Sequence, residues 1–177
     1  MPTVNQFRAA VQRRGGVQRQ YRWRVIVNFP AFAADNELAR DASLTAITTQ
    51  TPPSTLGEIL IPWGGRELPY PGDRKFESLP ITFIGVADDS VHSAWEKWSE
   101  GINGSSSNQA GYEPSEYMRD VQIQLLDDRD NVKKTYTLEA AWPQNVGELE
   151  LDQTAQDSYA QFTATLRFLQ ATNDNSL

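Results

Sequence analysis

Three groups of residues in this chain have side chains and spacings that could support chemistry. The single histidine, His92, follows Asp88 and Asp89 and stands among serines, the raw material of a Ser-His-Asp relay in which imidazole moves a proton for a hydroxyl nucleophile. No GxSxG turn accompanies it, and His92 falls in the first turn of a helix beside its apolar stripe, where a surface role is expected. The charged run Asp127 to Asn131 invites comparison with a calcium loop. Started at Asp128, it has Asp130 in place but puts Val132 at the third ligand position and Lys133 where glycine must turn the chain, so Glu139 at the closing position is read as coincidence. Glu148, Glu150 and Asp152 alternate with Leu149 and Leu151. In a strand the three carboxylates would share one wet face, the kind of surface that lines an aqueous channel and lets a second polyanion pass without sticking.

Composition narrows the chemistry further. With no cysteine, the chain has neither disulfides nor a thiolate zinc site, and no phosphate-cradling glycine loop is present, so no cofactor is expected. The longest nearly apolar stretch, Val25 to Ala34, is broken by Asn28 and Pro30 and falls far short of the roughly 20 residues that cross a bilayer; membrane insertion is not expected. Net charge is −7, unevenly placed. Arg8, Arg13, Arg14, Arg19, Arg22 and Arg24 all precede the first acid, Asp35, and the remaining 10 basic and 23 acidic residues make a body of −13. Residues 1–20 therefore read as a basic arm able to reach nucleic acid or an acidic neighbour, 21–170 as one folded domain and 171–177 as a polar tail.

The elements that must position these groups are mostly strands. Tyr21, Trp23, Val25, Val27 and Phe29 alternate with polar residues; so do Leu79, Ile81 and Phe83, then Val121, Ile123 and Leu125, and Phe162, Ala164, Leu166 and Phe168. Tyr136, Leu138, Ala140 and Trp142 form another such row, with Trp142 and Pro143 expected to stop its ladder, and Leu44 to Thr51 is a weaker strand ended by two prolines. Two β-prone runs, Glu58 to Trp63 and Arg66 to Tyr70, flank Gly64 and Gly65, the pair a tight hairpin turn demands. Pro62, Pro69 and Pro71 make this a poor central-sheet ribbon, so it should lie at an edge or project, with Gly72, Asp73 and Arg74 turning at its base. One helix stands out: Val91, Ala94, Trp95, Trp98 and Ile102 form a single stripe, with Asp88 to Ser90 to cap it and Gly101 and Gly104 to end it. A glycine- and serine-rich loop, 101–115, follows. The expected fold is mainly β, an antiparallel sandwich or barrel of about eight strands with one packed helix and a projecting hairpin.

Two segments carry a family resemblance. The ribbon IPWGGRELPYPGDRKF is similar to the projecting hairpin and Gly-Asp-Arg-x-Phe motif of tail tube proteins from contractile-tailed bacteriophages, and WPQNVGELEL, Trp142 to Leu151, resembles a Trp-Pro-x-Asn-Val-Gly-Glu-Leu motif of the same family, which is related to type VI secretion tubes. The resemblance covers roughly residues 21–170 and leaves the arginine-rich arm without a counterpart. It implies a non-enzymatic virion protein, made in the host cytoplasm, whose hexameric rings stack into a tube. That tube would hold the tape measure protein and passing DNA, wear a tail sheath outside, and end at the baseplate and a terminator protein. On this reading Ile59, Ile61, Trp63, Arg66, Leu68, Asp73 and Arg74 make subunit contacts, and Glu148, Glu150 and Asp152 face the lumen. Competing expectations are a tube initiator or terminator of the same fold, an OB-type single-strand binder using the arginine arm and surface tryptophans, and a small carbohydrate-active enzyme.

Overall fold

The computed structural model describes residues 3–174; the last three residues of the expected polar tail lie outside them. Chain order runs α1 (Val4–Arg13), β1 (Trp23–Val27), α2 (Asn36–Thr45), β2 (Ala46–Thr49), β3 (Ser54–Trp63), β4 (Arg66–Phe76), β5 (Leu79–Ile84), α3 (Ser90–Ile102), α4 (Pro114–Tyr117), β6 (Arg119–Leu126), β7 (Val132–Val146), β8 (Gln161–Arg167) and β9 (Gln170–Asn173). All strand pairs are antiparallel. Seven strands form one bent, open sheet in the order β1-β6-β7-β8-β5-β2, with β9 also on β7, while β3 and β4 pair only with each other.

The bend lies in β7. Its first half pairs with β6 and β9, and its second half, from Trp142, pairs with β8. At the joint Ala140 has φ +53°, an extra residue opposite β6, and Asp120 Oδ1 accepts its N–H at 3.1 Å. A bulge of this kind bends a strand and reverses which side chains face inward. Leu138 is buried before it, Ala141 and Pro143 after it, so Ala140 and Trp142 do not continue the row of Leu138 as alternation suggested. Nor does Trp142 end the strand, which runs on to Val146.

The bent sheet wraps a core of Val25, Val27, Leu79, Ile81, Phe83, Val121, Ile123, Leu138, Phe162, Ala164 and Leu166. Helix α3 closes it, burying Val91, Ala94, Trp95 and Trp98 against β7. Trp95 and Trp98 stack at 5.3 Å between ring centres, Phe29 meets both edge-on at 5.0 and 5.4 Å, and Trp98 Nε1 donates to the Tyr117 carbonyl at 2.8 Å. The helix does not end at Gly101. That glycine lies within its last turn because a Cβ there would fall 2.3 Å from the Phe32 ring. Asp88, rather than the N-cap Asp89, takes Ser90 N–H and Oγ–H, which holds its carboxyl below the usual range.

Three helices are additional to the expected elements, the shortest being the single turn α4. In α2, Asp35 accepts the Leu38 N–H at 2.8 Å, and the helix covers β1 and β5 with small side chains, Ala42 fully buried. Leu44 and Thr45, expected in a strand, close this helix. Helix α1 lies within the expected basic arm, and the tail expected from residue 171 pairs with β7 as β9 through Asn173. No helix among the described residues is long and apolar enough to cross a membrane.

Candidate subunit interface

The ribbon β3–β4 is built by its sequence to stand alone. Gly64 and Gly65, at φ +60° and +76°, make the two-residue turn. Cross-strand partners are Ile59 with Tyr70, Ile61 with Leu68, and Trp63 with Arg66. Opposed residues share a face, so Ile59, Ile61, Trp63, Leu68 and Tyr70 form one apolar side with Arg66 at its tip. Glu58, Leu60, Pro62, Glu67, Pro69 and Pro71 form the other. Every one of these side chains is exposed, Trp63 at 76 %. A two-stranded ribbon is marginal in water by itself, and this one presents an uncovered apolar side.

At the ribbon base, β4 carries an extra residue: Leu56 faces Arg74 but Glu58 faces Pro71. Gly57 and Gly72 meet there, and a Cβ on Gly72 would fall 3.1 Å from Gly57 backbone. Gly72, Asp73 and Arg74 are thus a bulge inside a strand rather than the turn expected. Arg74 Nη1 donates to Ser54 Oγ at 3.0 Å, tying the base within one chain, while Asp73 is exposed and its carboxylate has no partner among the described residues. Below, Phe76 reaches the core edge, 5.9 Å from the Phe168 ring.

The segment after β7 overturns the expected carboxylate row. Residues 147–160 are not a strand. Gly147 N–H donates to the Thr163 carbonyl at 2.8 Å, and a Cβ at Gly147 would lie 2.7 Å from that same oxygen, so the chain must leave the sheet here on a glycine. Leu149 then seats on Gly85, while Leu151 is 87 % exposed instead of sharing its face. Asp152 accepts the Thr154 N–H at 2.8 Å and its hydroxyl at 2.7 Å, which lowers its pKa and makes it the cap of a local turn. Glu148, Glu150 and Asp152 are exposed but share no strand face, and the geometric ground for a charged wall is gone.

His92 is the packed floor under this segment and not a surface group. Its side chain is 12 % exposed, its ring meets Phe162 edge-on at 4.8 Å, and Nε2 lies 3.2 Å from the Gly147 carbonyl. A carbonyl only accepts, so Nε2 carries the proton. Nδ1 faces Asp89 at 3.6 Å and Glu96 at 3.8 Å. Between α3 and Gln144–Glu148 runs an open groove of about 1050 Å³, with Glu96, Glu100 and Glu148 on its borders. Another groove, about 790 Å³, separates the two free sheet edges, Tyr21 and Trp23 before and in β1 from Ala46–Thr51 in and after β2.

The charged turn 127–131 is closed by Asp127, which accepts from the Asn131 side-chain amide, the Asn131 N–H at 2.9 Å and the Arg129 N–H at 2.7 Å; these hold its carboxyl below the usual range. Two of the early arginines, one in the basic arm and one just after it, are spent on this turn: Arg19 lies 3.8 Å from Asp128, and Arg22 pairs with Asp130. The capped helix α1 and the α3 groove escaped sequence reading, although Thr3 and Gln6, a capping box spacing, marked the first.

Comparison with known proteins is consistent with this architecture. The profile of the family described as phage tail tube protein matches residues 10–171. A tail tube protein of Serratia phage KSP90 is 60 % identical over 176 residues, covering 99 % of each chain. Among solved structures, the tube-terminating cap of the anti-feeding prophage has a TM-score of 0.64 at 17 % identity, over 90 % of this chain and 92 % of that one. A chain of the extended PVC sheath–tube complex, an extracellular contractile injection system, has a TM-score of 0.56 at 19 % identity, over 98 % and 99 %.

Proposed function

From a chain that belongs to the phage tail tube protein family, we propose that identical copies join head to tail into hexameric rings, and that the rings stack into the hollow tube through which DNA leaves the virion. The family is structural, the protein is a component of the virion tail, and it is not an enzyme. The observation carrying the assembly reading is the ribbon β3–β4, whose apolar side of Ile59, Ile61, Trp63, Leu68 and Tyr70 has no cover in its own subunit. Its open edges and the free edges of β1 and β2 leave backbone donors and acceptors that a neighbour can satisfy by adding strands. A contact that repeats by rotation about one axis closes a ring, and one that also repeats by translation makes a filament. Arg66, Asp73 and Arg74 flank the apolar side as its polar rim. The sheath would pack outside this tube, the tape measure protein inside it, and the baseplate and terminator proteins at its ends, with synthesis and assembly in the host cytoplasm.

Negative-stain microscopy of the purified protein tests this. Rings or tubes of unlimited length are expected, and replacing Ile61 and Trp63 by serine should leave a folded monomer. Growth that halts at a single ring would mark an end protein of the tube instead. A monomer at every concentration and salt would overturn the proposal.

A further inference from the structure

Helix α1 is complete as a helix and unpartnered as a surface. Thr3 and Gln6 close a capping box at its start, and Gly15 and Gly16, at φ +86° and +93°, close its end, with Gly16 N–H donating to the Val11 carbonyl at 3.0 Å. A helix of ten residues is marginal in water without tertiary packing. Yet no residue of α1 is buried; Val4 is 80 % and Phe7 68 % exposed, and the hollow around Val4, Phe7 and Ala10 is lined by the helix's own residues alone. At 3.6 residues per turn, Val4, Phe7, Ala10 and Val11 fill one arc, with Arg8 bordering it on one side and Arg13 on the other. Neither arginine has an ion pair among the described residues, unlike Arg19 and Arg22.

The groove beside α3 is complementary in charge and comparable in length. It follows α3 from His92 to Glu100, about 12 Å at 1.5 Å per residue, against about 15 Å for α1. Glu96 and Glu100 stand on the α3 border and Glu148 on the opposite one, with His92 and Val146 between; Lys97 is the one lysine or arginine among the lining residues. A stripe flanked on both sides by arginine thus meets a trough flanked on both sides by carboxylate.

Building on the assembly reading above, we propose that α1 is an exchanged arm: in the assembled tube it seats its Val4–Phe7–Val11 stripe in the α3 groove of a second copy, with Arg8 and Arg13 paired to Glu96 and Glu148 of that copy. The absence of native cysteine makes the test clean. In tubes assembled from an Arg13→Cys/Glu148→Cys chain, a short bismaleimide should link copies into a ladder on a denaturing gel, with far less linkage from either single variant. Exchanging charge on one side only, by Arg8→Glu with Arg13→Glu, should weaken assembly about tenfold at low salt, and adding Glu96→Lys with Glu148→Lys should restore it. Unchanged thermal unfolding of the Arg8→Glu/Arg13→Glu monomer is expected, because α1 packs on nothing in its own subunit. Tubes that form normally yet give no ladder, or a double exchange that fails to restore assembly, overturn the arm while leaving tube formation intact. Duplex DNA binding that disappears in the Arg8→Glu/Arg13→Glu chain with assembly unaffected would also overturn it, assigning the arm to nucleic acid.

Discussion

At Gly147 a side chain has nowhere to go: the space a Cβ needs lies 2.7 Å from the Thr163 oxygen that already accepts the Gly147 N–H. Gly147→Ala must either break that hydrogen bond or push β8 aside, and the expected loss is about 1–3 kcal/mol in denaturant unfolding. The family motif's residues thus serve architecture, since His92 meets the Gly147 carbonyl and Leu149 packs against Gly85. Asp127 provides a pH signature. Its folded pKa is depressed by the Asn131 amide and the turn N–H groups, so its contribution is fully present above the unfolded pKa, near 3.8, and is lost as pH falls through the lower folded value. Asp127→Asn should therefore lower the melting temperature at neutral pH, and the gap to the parent chain should narrow in melts taken below pH 3.8. A gap constant across that range would count against the carboxylate as its source.

Among the elements, period-two alternation made β1, β5, β6 and β8 legible, because each keeps one face on the core over most of its length: Phe162, Ala164, Leu166 and Phe168 are all buried as their spacing implies. Helix α3 was equally plain from its two tryptophans. What alternation cannot carry is a change of face inside a strand. In β7 the residue that reverses the pattern is an alanine at φ +53°, held by Asp120 from a different strand, and nothing in the local sequence announces it. Left-handed backbone costs alanine about 1–2 kcal/mol, part of which glycine's greater unfolded freedom offsets. Ala140→Gly should thus raise stability by about 0.5 kcal/mol, read as a small upward shift in denaturant midpoint. Helix α2 was obscured for another reason: its buried residue is Ala42, too small to mark a stripe. The carboxylate row failed because three alternating acids look the same in a strand and in a loop that Gly147 has released from the sheet.

As a whole molecule, the protein carries −7 overall, with six of its sixteen arginines and lysines in an acid-free stretch before residue 35 and its excess acid after it. Polyanionic DNA gains affinity by releasing counterions to cationic surfaces, and a mainly acidic tube offers it few. Repulsion extends only about 8 Å at physiological salt, which keeps a duplex off a wall without driving it forward. Assembled tubes should leave duplex DNA unshifted in a gel at that salt. A tight complex with steep salt dependence would instead fit a nucleic-acid binder.

The crossing of Gly57 and Gly72 gives the ribbon one narrow waist between its exposed blade and its anchorage at Phe76. With no side chain between them, the two backbones pack directly on each other there, and a larger residue at either position would spread the blade from the body that bears it. In the tube proposed above, that waist would set the angle at which each blade reaches its neighbour, so a side chain added at Gly72 would be felt as misalignment along the whole filament.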